Sequence, residues 1–450
     1  MAAQDSYGPG PRQWFPGSSL WSLHRDPLAY MAGLQRRHGD LVHWRIGPQD
    51  VVMVARSDLA RDVLVTHHRS FKKGPGFERA QMVLGQGLLT SEGDFHLRHR
   101  RMIQPAFHRR SVAAYGDVMV GEAARLRDGW HDGETVDVAE EMTRVTLSIV
   151  CRALFGHSVE DEAAAIGEAV TRVGGFFDYL VIAILPLLLR TPLPAVRRFK
   201  RGCAELDAAT LRVVESRREG TAGPDGDLLS TLLAARDLEG DQAGLTDAEV
   251  RDEVVTLITA GHETTANALN WLWYLLAQHP EVERRLHEEI DRVLGGRLPT
   301  AEDAEQLRYV EMVLLEAMRL YPPAWGIERR ALHEQEIGGC AIPAGAVILM
   351  PTFLMNRDER FFPDPLRFDP ERFAPEAVAG RPRHAFLLFG GGPRQCIGNA
   401  FALLEGVLIV STLAQRWQLR LAPGQVVAAQ PTVTLRPRGG LPMTVERRAA

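Results

Sequence analysis

The sequence predicts a mainly α protein with small β sheets, an α+β class. Three observations carry this. Long segments with apolar residues at helical spacing fill the middle of the chain. Short strand-like stretches occur only toward the two ends. Helices and strands nowhere alternate one for one, which disfavours a doubly wound parallel sheet.

The elements follow in order. Residues 1–26 form an irregular lead-in punctuated by Gly8, Pro9, Gly10, Pro11, Pro16 and Gly17. Pro27–His38 is helical, and Leu41–Ile46 with Val51–Val54 reads as a hairpin across Gly47-Pro48-Gln49-Asp50. A short helix covers Asp58–Leu64. Val112–Trp130, Val138–Phe155, Asp161–Val173 and Val196–Ser216 have helical length and spacing, with breaks at Gly220–Gly226 and Leu238–Gly244. The longest helical run is Asp247–His279, where Thr246 and Glu249 make a capping box. Pro280 stops it and Glu281–Leu294 resumes. Gln306–Leu320 ends at Pro322-Pro323, because proline cannot donate its missing N–H and crowds the preceding residue. Beyond lie short strands in Ile337–Leu349 around Pro343–Gly345, a proline-rich meander at Pro363–Pro375, a loop at Gly390–Arg394, a helix at Ala400–Gln415, and strands in Val426–Val445. The expectation is one domain over 27–450, with a β-rich subregion built from the N-terminal hairpin and the C-terminal strands.

Composition narrows the function classes. The 450 residues are 45% hydrophobic and 24% charged, which is globular rather than disordered. With 52 basic and 57 acidic residues the net charge is −5, so no whole-chain nucleic-acid footprint exists. Cys151, Cys203, Cys340 and Cys396 lack CxxC spacing, which argues against a disulfide framework or structural zinc. No signal-peptide pattern or spanning apolar run is visible. The stretch Leu180–Leu189 contains Pro186. A soluble, cytoplasmic protein is expected.

The strongest local signal is Phe389-Gly390-Gly391-Gly392-Pro393-Arg394-Gln395-Cys396-Ile397-Gly398. A glycine-rich loop meets a lone cysteine just before a helix. The glycines allow close backbone approach, as to something flat or bulky. A thiolate there is stabilised by the helix N-terminus, and Arg394 adds positive charge. A single-thiolate metal ligand fits better than zinc. A second signal is Ala260-Gly261-His262-Glu263-Thr264-Thr265 inside the longest helical run. Gly261 in a helix interior costs about 1 kcal/mol against alanine, so a packing or functional reason is required. Glu263 and Thr264 place a carboxylate and a hydroxyl together, a pair able to pass protons along water.

These segments resemble the cytochrome P450 family. Phe389, Gly392, Arg394, Cys396 and Gly398 occupy every fixed place of its signature F-x-x-G-x-R-x-C-x-G, and Ala260–Thr265 is similar to its central-helix motif. Glu316-Ala317-Met318-Arg319 matches E-x-x-R, and Pro370-Glu371-Arg372-Phe373 resembles the segment that supplies its arginine partner. The resemblance spans Pro27–Glu446 and implies the P450 fold with haem b as cofactor. It implies Cys396 as axial iron ligand, Phe389 packed by the sulfur, and Arg394 on a haem propionate. His96, Arg100 and Arg329 join the propionate contacts, and Ala260, Gly261 and Gly398 lie along the haem. Thr264 and Glu263 become the catalytic pair in proton delivery, and Glu316–Arg319–Arg372 a structural triad. His262 stands at the motif's variable place and is not assigned as a base.

The family layout further implies a substrate pocket from Leu257, Ala260, Ala324, Trp325, Gly326, Ile327 and Val433, with Phe77–Leu89 over one edge of the haem. These side chains suit a lipophilic small molecule such as a fatty acid, terpenoid, steroid or polyketide. The expected reaction is insertion of one oxygen atom from dioxygen. Electrons would come from a separate ferredoxin or flavodoxin with its NAD(P)H-dependent reductase, docking near Arg98, Arg101, Arg109, Arg110 and Arg394. A peroxide-driven peroxygenase of the same fold is the alternative, and a non-catalytic haem or ligand-binding protein a further one. Phe176–Pro194 reads as a pocket lid or a shallow membrane-surface contact.

Overall fold

The computed structural model describes residues 8–11, 18–156, 166, 169, 173, 189–219, 227–240 and 242–448. Asp161–Val173, Gly220–Gly226 and Phe176–Pro194 therefore lie wholly or largely outside the described residues. Two compact units are present. The first comprises Met1–Pro75, Met312–Cys396 and Ala429–Arg436. The second comprises Gly76–Glu311, Ile397–Ala428 and Pro437–Ala450.

The first unit is built on a five-stranded sheet of β1 (Leu41–Ile46), β2 (Gln49–Val54), β3 (Phe71–Lys73), β4 (Ile327–Ala331) and β5 (Val347–Met350), in the order β1-β2-β5-β4-β3. Ile46 pairs with Gln49, so the hairpin turns on Gly47-Pro48 alone, with Gly47 at φ 57°. The shorter turn lets Gln49 and Asp50 join the ladder. The period-2 pleat of β2 sorts its side chains between two cores. Val52 and Val54 pack with Leu64, Phe71, Ile348 and Met350. Val51 and Met53 pack with Leu28, Met31 and Leu34 of the helix Pro27–His38, and with Trp44 and Leu435.

The partner of the hairpin is β5, which runs parallel to β2 with Val51 opposite Val347. This corrects the expected β-rich subregion, since the C-terminal strands pair elsewhere. Ala429–Pro431 and Leu435–Pro437 form their own two-stranded ladder, and Pro442–Arg447 joins Thr135–Asp137 and Trp417–Leu421 in the second unit. The short helix expected over Asp58–Leu64 is Ser57–Arg61, followed by a π-helical turn at Asp62–Thr66.

In the second unit, α1 (Gly93–Ile103), α2 (Val138–Phe155) and α3 (Asp247–Leu276) frame the site described below. The Thr246 hydroxyl accepts from Glu249 N–H at 3.2 Å, and Glu249 Oε2 accepts from Thr246 N–H at 2.7 Å, completing the expected capping box. The helix ends at Leu276, and Pro280 opens the next one at a position where its missing N–H costs nothing. No helix among the described residues is long and apolar enough to cross a membrane.

The helix α4 (Arg308–Leu320) carries Glu316 and Arg319, both with 0% exposure. Arg319 Nε donates to Glu316 Oε2 at 2.6 Å, and one terminal nitrogen donates to Oε1 at 2.8 Å. The remaining donors reach the carbonyls of Asn356, Pro365 and Arg367 at 2.9, 2.8 and 3.2 Å. Arg372 Nε stands 3.5 Å from Glu316 Oε1, and Asp369 N–H donates to the same oxygen at 2.9 Å. The expected triad is thus assembled. Removing one member leaves a buried charge unpaired, which costs roughly 3–5 kcal/mol. Glu316→Ala is therefore expected to lower the urea midpoint by that equivalent. A loss below about 1 kcal/mol, the scale of a surface pair, would show the triad to be dispensable.

Candidate active site

Within the first unit, the loop from Phe389 to Cys396 is closed by backbone bonds. Cys396 N–H donates to Phe389 O at 3.0 Å, Gln395 N–H to Gly392 O at 3.0 Å, and Gly390 N–H to Leu387 O at 3.0 Å. Leu387 anchors the base of the loop in the sheet core. Gly390 and Gly392 have φ of 71° and 70°, where an L side chain is strained. The approach at Gly392 is to protein. A Cβ there would stand 2.1 Å from Leu64 O, on the π-helical turn. The close approach expected of the glycines is, at Gly392, an approach to the chain itself. Arg394 donates to His68 O at 3.2 Å.

The Cys396 side chain is exposed at the end of this frame. Burial instead pushes the Cys151 thiol up to about 12 and the Cys203 thiol up to about 11, so neither supplies a thiolate near neutrality. Among the described residues no group of three or more His, Cys, Asp or Glu side chains is placed to hold a bare ion. A single presented sulfur suits a metal that brings its own equatorial nitrogen donors, as haem does. The donor set therefore fits haem b. Arg329 on β4 is 6% exposed, while Arg330 beside it is half-buried on the other face of the strand.

Within the second unit, the middle of α3 presents one opened face. Leu257, Ala260, Gly261 and Thr264 are half-buried at helical i, i+3, i+4, i+7 spacing, whereas Val254, Val255, Ile258 and Thr265 are buried. The Thr264 hydroxyl donates to Ala260 O at 2.8 Å, leaving its lone pairs to accept. Glu263 is half-buried beside it. The helix continues without interruption through this motif. Gly261 has a different reason from the one its motif suggests. A Cβ there would meet Val150 Cγ2 of α2 at 3.0 Å, so the glycine answers helix packing. The same helix fixes the turn, because the Thr146 hydroxyl donates to His262 O at 3.0 Å. His262 is buried, its Nδ1–H donates to Ile258 O at 2.7 Å, and burial lowers its pKa.

His96 and Arg100 share a face of α1. His96 is 4% exposed, so this face is not simply solvated. Sequence reasoning missed the clamp beside them. His99 and Glu253 are both fully buried and meet at 2.6 Å, and Glu253 Oε2 accepts from Leu88 N–H at 3.0 Å. Gln86 N–H donates to Asp252 Oδ2 at 2.6 Å. A Cβ at Gly87 would stand 2.2 Å from Thr256 Oγ1, so only glycine lets this loop lie on α3. The end of the expected Phe77–Leu89 segment is held there. Arg98 and Arg101 of the expected docking patch are engaged within the chain, with Glu249 at 2.9 Å and Asp237 at 3.0 Å. Arg109 and Arg110 are exposed.

Glu405 was also missed. It lies on α5 (Asn399–Ala414), fully buried, and its oxygens have no hydrogen-bond partner among the described residues. The available signal was a lone carboxylate in the apolar run Phe401–Ala414.

Comparison with known proteins agrees with this geometry. The family model "Cytochrome P450" matches residues 8–441. Cyclooctat-9-en-7-ol 5-monooxygenase of Streptomyces melanosporofaciens is 40% identical, covering 98% of each chain. Pentalenene oxygenase of Streptomyces avermitilis is 37% identical, over 90% of this chain and 89% of its own. The crystal structure of the cytochrome P450DA heme domain superposes with a TM-score of 0.89 at 26% identity, over 98% of each chain. The chain belongs to the cytochrome P450 family. It is a haem-dependent monooxygenase acting on lipophilic small molecules, and its fold is the helix-dominated α+β fold expected from the sequence.

Desolvation pushes the Glu405 carboxyl up to about 8, and the neighbouring Thr265 hydroxyl only partly opposes it. The folded state then holds a proton that the unfolded chain releases near the ordinary glutamate value of 4.5, so stability falls as pH rises between 4.5 and about 8. Glu405→Gln removes this dependence. Melting curves from pH 5 to 9 are expected to converge or cross, with the variant gaining up to about 1.4 kcal/mol per pH unit relative to the parent. Parallel curves would show Glu405 to be ionised.

Proposed function

We propose that the protein oxygenates a cyclic terpenoid. The observation that carries the haem-thiolate part is the exposed Cys396 sulfur at the end of a backbone-locked loop. Haem b, when bound, would supply the redox chemistry that splits dioxygen, and the inserted oxygen atom comes from that dioxygen. Cys396 ligates the iron through its thiolate and donates charge to it. Arg394 and Arg329 from the first unit, and His96 and Arg100 from the second, pair with the propionates. Phe389 packs by the sulfur, and Ala260, Gly261 and Gly398 lie along the haem.

Thr264 accepts a hydrogen bond while donating its own proton to Ala260 O, and so holds water in a fixed orientation. Glu263 supplies the ionisable carboxyl from which protons are relayed to that water. Leu257 and Ala260, with Ala324, Gly326, Ile327 and Val433, provide apolar surface for the substrate. The substrate class is supported by two relatives whose names specify a cyclic alkenol and pentalenene. Electrons come from a separate ferredoxin or flavodoxin and its NAD(P)H-dependent reductase. Arg109 and Arg110 offer exposed positive charge for an acidic partner, an attraction weakened by salt. The reaction takes place in the cytoplasm.

The purified protein is expected to give the reduced carbon monoxide difference band of a thiolate-ligated haem, and Cys396→His to lose it. Persistence of the band in the variant would remove Cys396 from the iron. Pentalenene or cyclooctat-9-en-7-ol is expected to shift the ferric spin state, and silence with both would reject this substrate class. Thr264→Ala is expected to cut the rate of product formation by about 100-fold, the low end for a lost proton-transfer group, with NAD(P)H consumption less affected so that coupling falls. Unchanged coupling would reject its role.

A further inference from the structure

Ala324 and Val433 are exposed apolar residues within the first unit, with Val433 at 47% exposure. A small frame of hydrogen bonds holds the segments that carry them. Leu435 N–H donates to Pro323 O at 2.9 Å, and Trp325 Nε1–H donates to Thr432 O at 2.9 Å. Thr432 N–H closes on Thr434 O at 3.0 Å, and its hydroxyl reaches the same oxygen at 3.2 Å. Val433 is thereby the tip of a three-residue turn.

Trp325 differs from its neighbours in what fixes it. Its side chain packs on the core that contains Leu28, Trp44 and Leu435. Its carbonyl accepts from Phe353 N–H at 3.1 Å, and the Thr352 hydroxyl donates to Ala324 O. Trp325 is thus tied to the sheet side on its backbone and to the tail turn on its indole. The turn joins the two strands of the Ala429–Pro431 and Leu435–Pro437 ladder, and bonds to Pro323 O and from Trp325 Nε1 tie it to the 323–325 segment.

We propose that Trp325 is a positioning residue whose indole N–H suspends the 432–434 turn, so that Ala324 and Val433 form one apolar wall facing the substrate. This rests on the reading of 324–327 and 431–433 as substrate-facing, but it moves Trp325 from the wall to the strut behind it. The frame makes selectivity depend on a neutral hydrogen bond remote from the reacting atoms. A displacement of about 1 Å in a positioned group is enough to change rates markedly.

The test uses the full-length haem-loaded protein and two variants. Trp325→Phe keeps an apolar ring in the core and removes the N–H donor together with part of the indole ring. Val433→Phe alters the wall directly. Amide hydrogen exchange over 429–436 is expected to rise about 5-fold in Trp325→Phe, the equivalent of about 1 kcal/mol for one neutral hydrogen bond. It should be unchanged in Val433→Phe, and both variants should keep the carbon monoxide band. Phenylimidazole, an apolar ring with an iron-ligating nitrogen, serves as the probe whatever the natural substrate. Its spectral Kd is expected to change at least about 3-fold in both variants. Unchanged exchange in Trp325→Phe would overturn the strut. Unchanged affinity in both variants would overturn the wall, and with it the substrate-facing reading of the tail. An effect of Val433→Phe alone would keep the wall and overturn the role of Trp325.

Discussion

The fully buried pair of Glu316 and Arg319 is the constraint on which the first unit depends. A guanidinium has five N–H donors and no acceptor, and all five are used here. Two go to the Glu316 carboxylate and three to carbonyls of residues 356, 365 and 367. Those carbonyls belong to a meander with little regular structure to satisfy it. The Asn356 carbonyl is buried and those of Pro365 and Arg367 are partly so, and Arg319 supplies the donors that a sheet or helix would otherwise supply. Replacing the pair with apolar groups would leave these carbonyls without partners, so the usual argument that a buried ion pair is dispensable does not hold at this site. The meander runs on to Leu387 in the sheet core and to the cysteine loop, so an irregular stretch acquires one conformation.

Much of this was legible because the carrying signals are local. The cysteine loop, the E-x-x-R pair and the capping box of α3 each depend on residues within ten positions of one another, and each forms from the chemistry its spacing suggests. The strand β4 was not legible. Its sequence Ile-Glu-Arg-Arg-Ala has no apolar alternation, and it is a strand because β3 and β5 pair with it on both sides. The tail strands misled for a related reason. Their β character is real, but partner choice is a long-range property that alternation does not encode.

Glycine shows the same limit at single-residue scale. Gly261 and Gly392 both stand in motifs, and in both the space of a Cβ is taken by protein, Val150 in one and Leu64 O in the other. A sequence shows that something must come close. It does not show whether that is a ligand, a helix or a carbonyl. Arg98 and Arg101 make the parallel point for charge. They read as a free basic face because Glu249 and Asp237 are distant in sequence.

The structure also separates two ways of holding a site residue. Gly392 and Cys396 are tied by backbone bonds within their own loop, and Thr264 by its hydroxyl to Ala260 O of its own helix. Leu88 and Val433 lie on segments that borrow their order, from Glu253 in one case and Trp325 in the other. The residues proposed for the chemistry thus lie in a helix and a tight loop, whereas the segments proposed to face the substrate are held by a few polar contacts from neighbouring segments. A family that keeps one chemistry and varies its substrates gains from that division. None of the bonds that close the cysteine loop or hold the Thr264 hydroxyl involves Trp325, so a change at 325 leaves those bonds in place.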